Sequence, residues 1–298
     1  MKRKTKLISF LLCGVMIFGM IGCKGQEETK EPEEDNPKVV EDSGEDYDLH
    51  KLVSENKSLV ATTEIVGRME IPAGTEFVQG GYTDGKYYYQ AFIRRDNASG
   101  EVENEDVVVK YDMQTKQVVK ESEKLKLNHC NDFTYNAKTG KLYICNATGR
   151  KNIVSIMNPE TLEIEGEIDL GFEIFSINYN EKRDMYVVGI AGGQTFRFLD
   201  AEFRIASDIF DPTTRTINYT TQGNTSDDDY IYFVLYKENV ITVYDWDGNF
   251  VSWIKTDIPK TAEPENISVV GNDIYMGVSV DEHSAQNIFK IKTLKPEE

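Results

Sequence analysis

The sequence predicts an all-β protein: a five-bladed β-propeller with four-stranded antiparallel blades, whose last blade is completed by the N-terminal strand. Three observations lead to this prediction. From about residue 60 the chain consists of short alternating β-branched and aromatic runs without a convincing helical period. These runs recur in units of about 40–50 residues, a length typical of propeller blades. The two ends of this region also carry complementary fragments of one unit.

Each unit contains a first strand, a turn, a second strand built around a tyrosine, and then a third and a fourth strand. The second-strand tyrosines are 54, 43, 46 and 43 residues apart: Tyr89, Tyr143, Tyr186, Tyr232 and Tyr275. The five units begin near Phe77, His129, Phe175, Thr221 and Glu263. The repeat therefore predicts five blades.

The last unit ends after "NIFKIKTLKPEE" without a fourth strand. A candidate for that strand is "ATTEIVGRMEIP" at residues 61–72, which precedes the first unit as "IEGEIDLG" precedes the third. We expect it to pair with the C-terminal strand and to close the ring without an exposed edge. The alternatives are a β-sandwich, or another blade number if residues 47–60 contain a degenerate blade.

Residues 1–22 are predicted to be a lipoprotein signal peptide. A basic start, "MKRKTK", is followed by an apolar run at residues 7–21 and then by Cys23. The "MIGC" sequence resembles the lipobox of bacterial lipoproteins, which implies cleavage before Cys23 and lipid attachment to its sulfur. A transmembrane helix is the alternative, but the run is shorter than the about 20 residues that a span requires. We expect a lipid-anchored protein on the extracytoplasmic face of the cell membrane.

Residues 23–58 are predicted to form a flexible acidic tether before the propeller domain at residues 59–298. Residues 24–50 contain eleven acidic and three basic side chains, and so few apolar ones that they cannot form a core. The 248 residues after them carry −14 of the total charge of −18. Nucleic acid is therefore excluded as a partner, and the membrane is contacted through the lipid only. We expect a monomer.

Only Cys130 and Cys145 remain once the signal is removed and Cys23 carries lipid. They lie on opposite arms of one hairpin. Pairing Tyr135 with Lys141 places the two thiols on opposite faces of the sheet, whereas a one-residue bulge would bring them to the same face. The sequence leaves open whether they are two buried thiols or a disulfide.

Two motifs resemble the broad class of bacterial propeller repeats typified by YVTN-type and NHL-type proteins. They are the hairpin "YNAKTGKLY" at residues 135–143 and the turn "VYDWDG" at residues 243–248. The resemblance covers residues 61–298 and implies a propeller fold. It leaves the function open, because propellers serve as binding modules, hydrolases, lyases and scaffolds.

Aligning the units on their tyrosines places polar residues at the starts of the first strands, around one mouth of the central channel. We predict that this collar binds a small polar ligand or glycan by hydrogen bonds, without catalysis. The predicted ligand-binding residues are Gln79, His129, Asn131, Asp132, Ser176, Gln222, Glu263, Glu265 and Asn266. The simplest alternative is that these side chains are merely solvated.

Two further functions are considered. Asp132 with Glu263 or Glu265 could supply the paired carboxylates of a glycosidase, as in arabinanase-like propellers. A second set could instead hold a divalent cation in a hydrolase or lactonase/lyase, as in gluconolactonase-like propellers: Glu265, Asp132, Asn131 and His129. Gln79 stands where the arabinanase-like enzymes carry a first-blade carboxylate, so the glycosidase set is incomplete. No cofactor is expected, with a divalent cation at the channel mouth as the alternative. The third possibility is a protein-interaction scaffold that uses exposed loops.

Several other polar and aromatic residues are given no specific role. His50 is assigned to the tether, and the "DDD" sequence at residues 227–229 to a solvated turn in the fourth unit. Tyr82, Trp246 and Trp253 are assigned to turns and packing between blades, with a sugar-stacking platform as the alternative.

Overall fold

The computed structural model describes residues 47–96, 100–101, 105–147, 149–190, 195–211, 220–280 and 285–298. The predicted signal peptide, Cys23 and most of the predicted tether lie outside these ranges. Within them, no helix is long and apolar enough to cross a membrane.

The described residues form one short helix and a succession of strands. The helix is α1 (Leu49–Glu55), and the strands are β1 (Ser58–Met69), β2 (Phe77–Thr83), β3 (Tyr87–Ile93), β4 (Arg95–Asp96), β5 (Gly100–Glu101), β6 (Val107–Asp112), β7 (Gln117–Glu121), β8 (Asp132–Asn136), β9 (Lys141–Cys145), β10 (Ile153–Met157), β11 (Ile164–Asp169), β12 (Ser176–Asn180), β13 (Met185–Ile190), β14 (Thr195–Asp200), β15 (Thr220–Ser226), β16 (Tyr230–Tyr236), β17 (Val240–Asp245), β18 (Phe250–Lys255), β19 (Glu263–Val270), β20 (Asp273–Val280) and β21 (Ala285–Pro296).

Consecutive strands form antiparallel sheets, as the repeat predicts. The first sheet has the order β2-β3-β6-β7, the second β8-β9-β10-β11, and the third β12-β13-β14. Two isolated bridges, Phe196 to Phe210 and Leu199 to Ile205, extend the third sheet on its outer side. The remaining strands form an eight-stranded sheet, β15-β16-β17-β18-β1-β21-β20-β19, and β4 pairs with β5.

The N-terminal strand pairs with the C-terminal one. β1 runs antiparallel to β21 from Leu59 opposite Pro296 to Met69 opposite Gln286, so the predicted pairing of the chain's two ends is present. β1 also pairs in parallel with β18, starting with Ser58 opposite Trp253. This second pairing joins two four-stranded units into the eight-stranded sheet, which the sequence did not indicate.

The first strands of the five units contact one another in a closed order. β2 contacts β8, β8 contacts β12, β12 contacts β15, β15 contacts β19, and β19 contacts β2. Hydrogen bonds crossing these contacts include Gly80 N to Cys130 O (2.9 Å), Tyr179 N to Thr134 Oγ1 (2.7 Å), Ser226 Oγ to Asn178 Oδ1 (2.5 Å), Val269 N to Thr225 Oγ1 (3.3 Å) and Thr83 N to Ser268 Oγ (3.1 Å). Sheets arranged around a ring of inner strands are the architecture of a β-propeller.

Hydrophobic clusters fill the spaces between neighbouring sheets. Because side chains alternate along a strand, one strand serves two clusters. Leu142 and Ile144 pack between the first and second sheets, whereas Tyr143 packs between the second and third. Met69 and Ile288, from β1 and β21, pack with the first sheet. Each sheet is therefore held by apolar contacts on both faces.

The hairpin that carries the two cysteines has a different register from the predicted one. Asn136, not Tyr135, lies opposite Lys141, because residues 137–140 form a four-residue turn that ends at Gly140 with a φ of 67°. Cys130 and Cys145 are both buried and do not form a disulfide. The structure therefore has two buried thiols at this hairpin.

Residues 47–58, which the sequence analysis included in the tether, are folded onto the domain. Asp48 caps α1 by accepting a hydrogen bond from Lys51 N at 3.0 Å. Leu49 and Val53 are fully buried in the cluster between β15–β18 and β19–β21. Their burial offsets the ordering entropy of this short segment.

Candidate ligand-binding site

The predicted collar lies where the first strands begin, and three of its positions coincide with β-bulges. The ladder register shifts at Gln79 in β2, at Gln222 in β15 and at Glu265 in β19. Asp132 and Ser176 occupy regular first positions of β8 and β12. A bulge bends the strand and changes the direction of the side chain at that position. The side chains at the five aligned positions therefore do not all point the same way relative to the ring.

Asp132 joins three inner strands. Its Oδ2 accepts hydrogen bonds from Ile177 N at 3.0 Å and Asn224 N at 3.2 Å, and its Oδ1 accepts one from Phe133 N at 3.0 Å. The side chain is fully buried. Burial raises the pKa of this carboxyl well above its usual range, although the three N–H donors act in the opposite direction. Its role in the structure is to connect β8, β12 and β15.

Asn266 belongs to a buried amide network between the first sheet and the last strands. Its Nδ2 donates to Gln90 Oε1 at 3.1 Å, and Gln286 Nε2 donates to the same oxygen at 2.7 Å. Tyr88 OH and Gly277 N both donate to Asn266 Oδ1. Because its members come from β3, β19, β20 and β21, the network seals the seam at which the ring closes.

The other collar residues divide by exposure. Gln79, Ser176 and Glu265 are buried, so five of the nine predicted residues, with Asp132 and Asn266, have little contact with solvent. The four that are partly exposed are His129, Asn131, Gln222 and Glu263. Gln222 Nε2 donates to Glu263, and Asn131 Nδ2 donates to Phe175 O at 3.2 Å. The structure thus gathers the predicted residues around one mouth and uses most of them in contacts within the ring.

His129 lies in an unusual turn before β8. Asn128, His129 and Cys130 have φ values of 49°, 83° and 51°, so three successive non-glycine residues adopt left-handed conformations. Asp106 Oδ2 holds the entry to this turn by accepting from Leu127 N at 2.7 Å and Asn128 N at 2.9 Å. The polar sequence "NHCND" is therefore a strained entry into the innermost strand.

A cavity of about 520 Å³ lies at the opposite mouth, where the first strands end. Its walls are formed by the last residues of these strands and by the turns that follow β8, β12, β15 and β19. Tyr82, Tyr135 and Tyr179 are each the penultimate residue of their strand and line one side. This site was not predicted from the sequence, although Tyr82 was a candidate for a stacking platform.

Three tyrosine side chains line this side of the cavity, and we call them the aromatic wall; Tyr179 also packs against Tyr186, with ring centroids 5.0 Å apart. The rings of Tyr82 and Tyr135 are stacked, with centroids 6.3 Å apart. The hydroxyl of Tyr179 donates to Asp184 Oδ1 at 2.6 Å. Burial, with a smaller contribution from acidic neighbours that include Glu181, raises the pKa of both Tyr82 and Tyr179 above the usual range. These phenols are therefore neutral at physiological pH.

The opposite wall is acidic. Asp227 caps the β15–β16 turn: its Oδ1 accepts from Asp229 N and Tyr230 N, both at 2.8 Å. Asp228 Oδ2 lies 3.0 Å from Lys182 Nζ, which comes from the β12–β13 turn. The turn assigned to solvent by the sequence analysis is thus part of the cavity wall.

α1 contributes His50 to the rim of the cavity. Its Nδ1 lies 3.0 Å from Asp229 Oδ2, and its Nε2 lies 3.2 Å from Asp227 Oδ2. Leu49 N donates to Asn272 Oδ1 at 2.7 Å, which fixes the helix beside the turn after β19. The sequence did contain a signal for this helix. Asp48 is an N-cap residue, and apolar residues follow it at helical spacing.

Within the described part of the chain, no group of three or more His, Cys, Asp or Glu side chains is arranged to hold a metal ion.

Comparisons with known proteins identify similar structures but no family. No family model and no curated protein matches the sequence. Glutaminyl cyclase from Myxococcus xanthus is similar with a TM-score of 0.58 and 12% identity, over 81% of this chain and 100% of that chain. A tail fiber of Staphylococcus aureus phage P68 has a TM-score of 0.54 and 13% identity, over 78% of this chain and 52% of that chain. At these identities the likeness shows the fold alone, a β-propeller, and the YVTN/NHL-type resemblance stays a prediction.

Proposed function

We propose that this chain is a five-bladed propeller that binds a small polar ligand without catalysis. Five blades are supported by the closed contacts of five first strands and by the apolar clusters between neighbouring sheets. In this interpretation the bridges of Phe210 and Ile205 represent the fourth strand of the third blade.

The observation that carries the binding function is the cavity at the strand-end mouth. Its volume of about 520 Å³ falls within the range of about 300–1,000 Å³ typical of small-ligand sites. It combines aromatic faces with converging polar groups, the combination that binds and orients a sugar or a small metabolite. We therefore move the proposed site from the strand-start collar to this end, because most collar side chains are buried.

The non-catalytic part of the proposal is supported by the state of the collar carboxylates. A general acid or base has to reach its substrate within hydrogen-bonding distance. Asp132 is fully buried and both of its oxygens accept backbone N–H groups, and Glu265 is only 5% exposed. The glycosidase and lactonase/lyase alternatives therefore receive no support from Asp132 or Glu265, which leaves the partly exposed Glu263 as the third carboxylate considered.

We also propose that lipid on Cys23 holds the protein at the extracytoplasmic face of the cell membrane. The basic start, the apolar run and the lipobox-like "MIGC" support this proposal. Cys23→Ser is expected to abolish the incorporation of labelled fatty acid and to shift the protein from the membrane fraction to the soluble fraction. Unchanged labelling of the variant would contradict it.

A thermal-shift screen tests the binding function. The purified protein is scanned against sugars, amino acids, amines and nucleotides, since a ligand at a hundred times its Kd adds about 2.7 kcal/mol of stability. Each active compound is then tested on Tyr135→Leu, at the cavity, and on Gln222→Ala, at the collar.

We expect an active compound to raise the Tm of the wild type and of Gln222→Ala, but not the Tm of Tyr135→Leu. The reverse pattern would return the site to the strand-start mouth. No shift with any compound would contradict small-ligand binding and favour the scaffold alternative.

A further inference from the structure

We infer that the ligand of the strand-end cavity carries a positively charged ammonium group. This inference rests on the proposed binding function and names the chemical class of its ligand.

The aromatic wall supplies the first argument. Tyr82, Tyr135 and Tyr179 come from three neighbouring inner strands at the same strand position, so they converge on one side of the cavity. Both Tyr82 and Tyr179 stay neutral, as described above. The negative faces of neutral aromatic rings attract a cation, most strongly where water is excluded, and quaternary ammonium groups are recognised in this way.

The balance of charge around the cavity supplies the second argument. The lining includes four carboxylates, Glu181 and the three of residues 227–229, against Lys182 and His50. The pair of Lys182 and Asp228 is exposed on both sides, 62% and 56%, so its attraction is weak and screened. An anionic ligand would be repelled here, whereas a cation is attracted.

Exposed aspartates in a turn are ordinarily solvated, as Asp247 is in the turn between β17 and β18. The acidic turn after β15 differs because it lines the cavity, to which tyrosine side chains also contribute. Cavity, aromatic faces and carboxylates together select an organic cation rather than a neutral sugar.

Matched pairs of compounds test the charge requirement. Isothermal titration of the purified protein compares choline with 3,3-dimethylbutan-1-ol, which has the same shape without the charge, and glucosamine with glucose. We expect at least one ammonium compound to bind about 10-fold or more tightly than its neutral partner. Equal or tighter binding of the neutral partners would overturn this inference and leave the binding function intact. If none of the four compounds binds, and no compound of the broader screen binds either, both the inference and the binding function are contradicted.

Cavity variants locate the binding and separate its two sources. Tyr135→Leu removes a ring and is expected to weaken binding of the ammonium compound about 5- to 30-fold, whereas Tyr135→Phe keeps the ring and the affinity. Asp228→Asn is expected to weaken it, and Asp247→Asn, the same change on a turn outside the cavity, to leave it unchanged. Equal effects of Asp228→Asn and Asp247→Asn would contradict a local acidic wall.

Salt dependence gives an independent check. Raising the ionic strength from about 0.01 M to about 1 M shortens the Debye length from about 30 Å to about 3 Å. We expect the ammonium compound to lose affinity over this range while any neutral ligand does not. Identical salt dependence for charged and neutral compounds would overturn the inference.

Discussion

Asp132 places a carboxyl group at the centre of the ring, surrounded by backbone donors of three strands. Burial raises its pKa in the folded protein above the value of about 3.9 that an unfolded chain has. The folded state therefore keeps the proton at pH values where the unfolded state has lost it. The protonated carboxyl therefore adds to the free energy of unfolding. This contribution is fully present below pH of about 4 and is lost as the pH rises through the pKa of Asp132 in the folded protein.

The variant Asp132→Asn cannot ionise and should lack this pH dependence. We expect the stability of the wild type relative to the variant to fall as the pH rises above about 4, by at most about 1.4 kcal/mol per pH unit. Urea unfolding of both proteins at a series of pH values measures the difference. Asp247→Asn changes an exposed carboxyl and serves as the control; the pH dependence of its unfolding free energy should match that of the wild type. A wild-type advantage that grows with pH would show that the N–H donors, rather than burial, dominate.

Gly277 gives the buried amide network the space that it needs. A Cβ at this position would lie 2.5 Å from Gln286 Nε2 and 2.6 Å from Asn266 Nδ2. We expect Gly277→Ala to lower the free energy of unfolding by about 1–3 kcal/mol, because the network cannot move without losing hydrogen bonds. Chemical denaturation measures this change.

Gly166→Ala is the matched control for Gly277→Ala. Gly166 lies in β11, where the nearest atom to an added Cβ is Ile156 Cδ1 at an ordinary 3.6 Å. Gly166→Ala should change the free energy of unfolding by less than about 0.5 kcal/mol, or increase it. Equal losses for both substitutions would contradict the packing described at the seam.

The role of Asn266 could not be derived from the sequence. The repeat alignment placed it beside the channel mouth, and the contacts confirm that it lies in an innermost strand. Its partner Gln90 is 176 positions away in the sequence, and Gln286, which donates to the same Gln90 oxygen, is 196 positions from Gln90; both hydrogen bonds form only because the ring closes. A buried network of this kind depends on tertiary contacts that no local pattern encodes.

At the scale of single elements, strand existence was predictable and strand irregularity was not. Alternation of β-branched and aromatic residues gave the strands, and the tyrosine spacing gave their order. The bulges at Gln79, Gln222 and Glu265 were missed because one inserted residue leaves the composition of a strand unchanged. The hairpin before Cys145 was displaced by one residue because its turn has four residues, 137–140, rather than the five that pairing Tyr135 with Lys141 implies.

α1 was missed for a different reason. Its seven residues give less than two turns of periodic signal, and a helix of this length has little stability of its own. The highly charged segment before it favoured a solvated tether. Packing of Leu49 and Val53 against the sheets stabilises the helix and brings His50 to the cavity.

Leu49→Ala tests whether α1 is an integral part of the domain. We expect a loss of about 2–5 kcal/mol in unfolding free energy, because the side chain is fully buried between two units. Glu55→Ala, an exposed position in the last turn of the same helix, should change stability by less than about 0.5 kcal/mol. Equally small effects would mean that the helix only rests on the surface.

For the whole molecule, closure of the ring follows from the sequence because both ends of the domain carry incomplete, complementary parts of one unit. The observed pairing of β1 with β21 fulfils that expectation. The repeat could not show that a cavity lies at the strand-end mouth. That property arises from Tyr82, Tyr135 and Tyr179, the turn at residues 227–229 and His50, five segments that the ring brings together.

The position of bound ligand tests the central claim, that the strand-end mouth is the binding site, most directly. A crystal structure of the protein with the tightest compound from the screen would locate it. We predict that the compound lies between the rings of Tyr135 and Tyr179 and the acidic turn at residues 227–229. Density beside Gln222 and Glu263 at the strand-start mouth, with the strand-end cavity empty, would contradict the proposal.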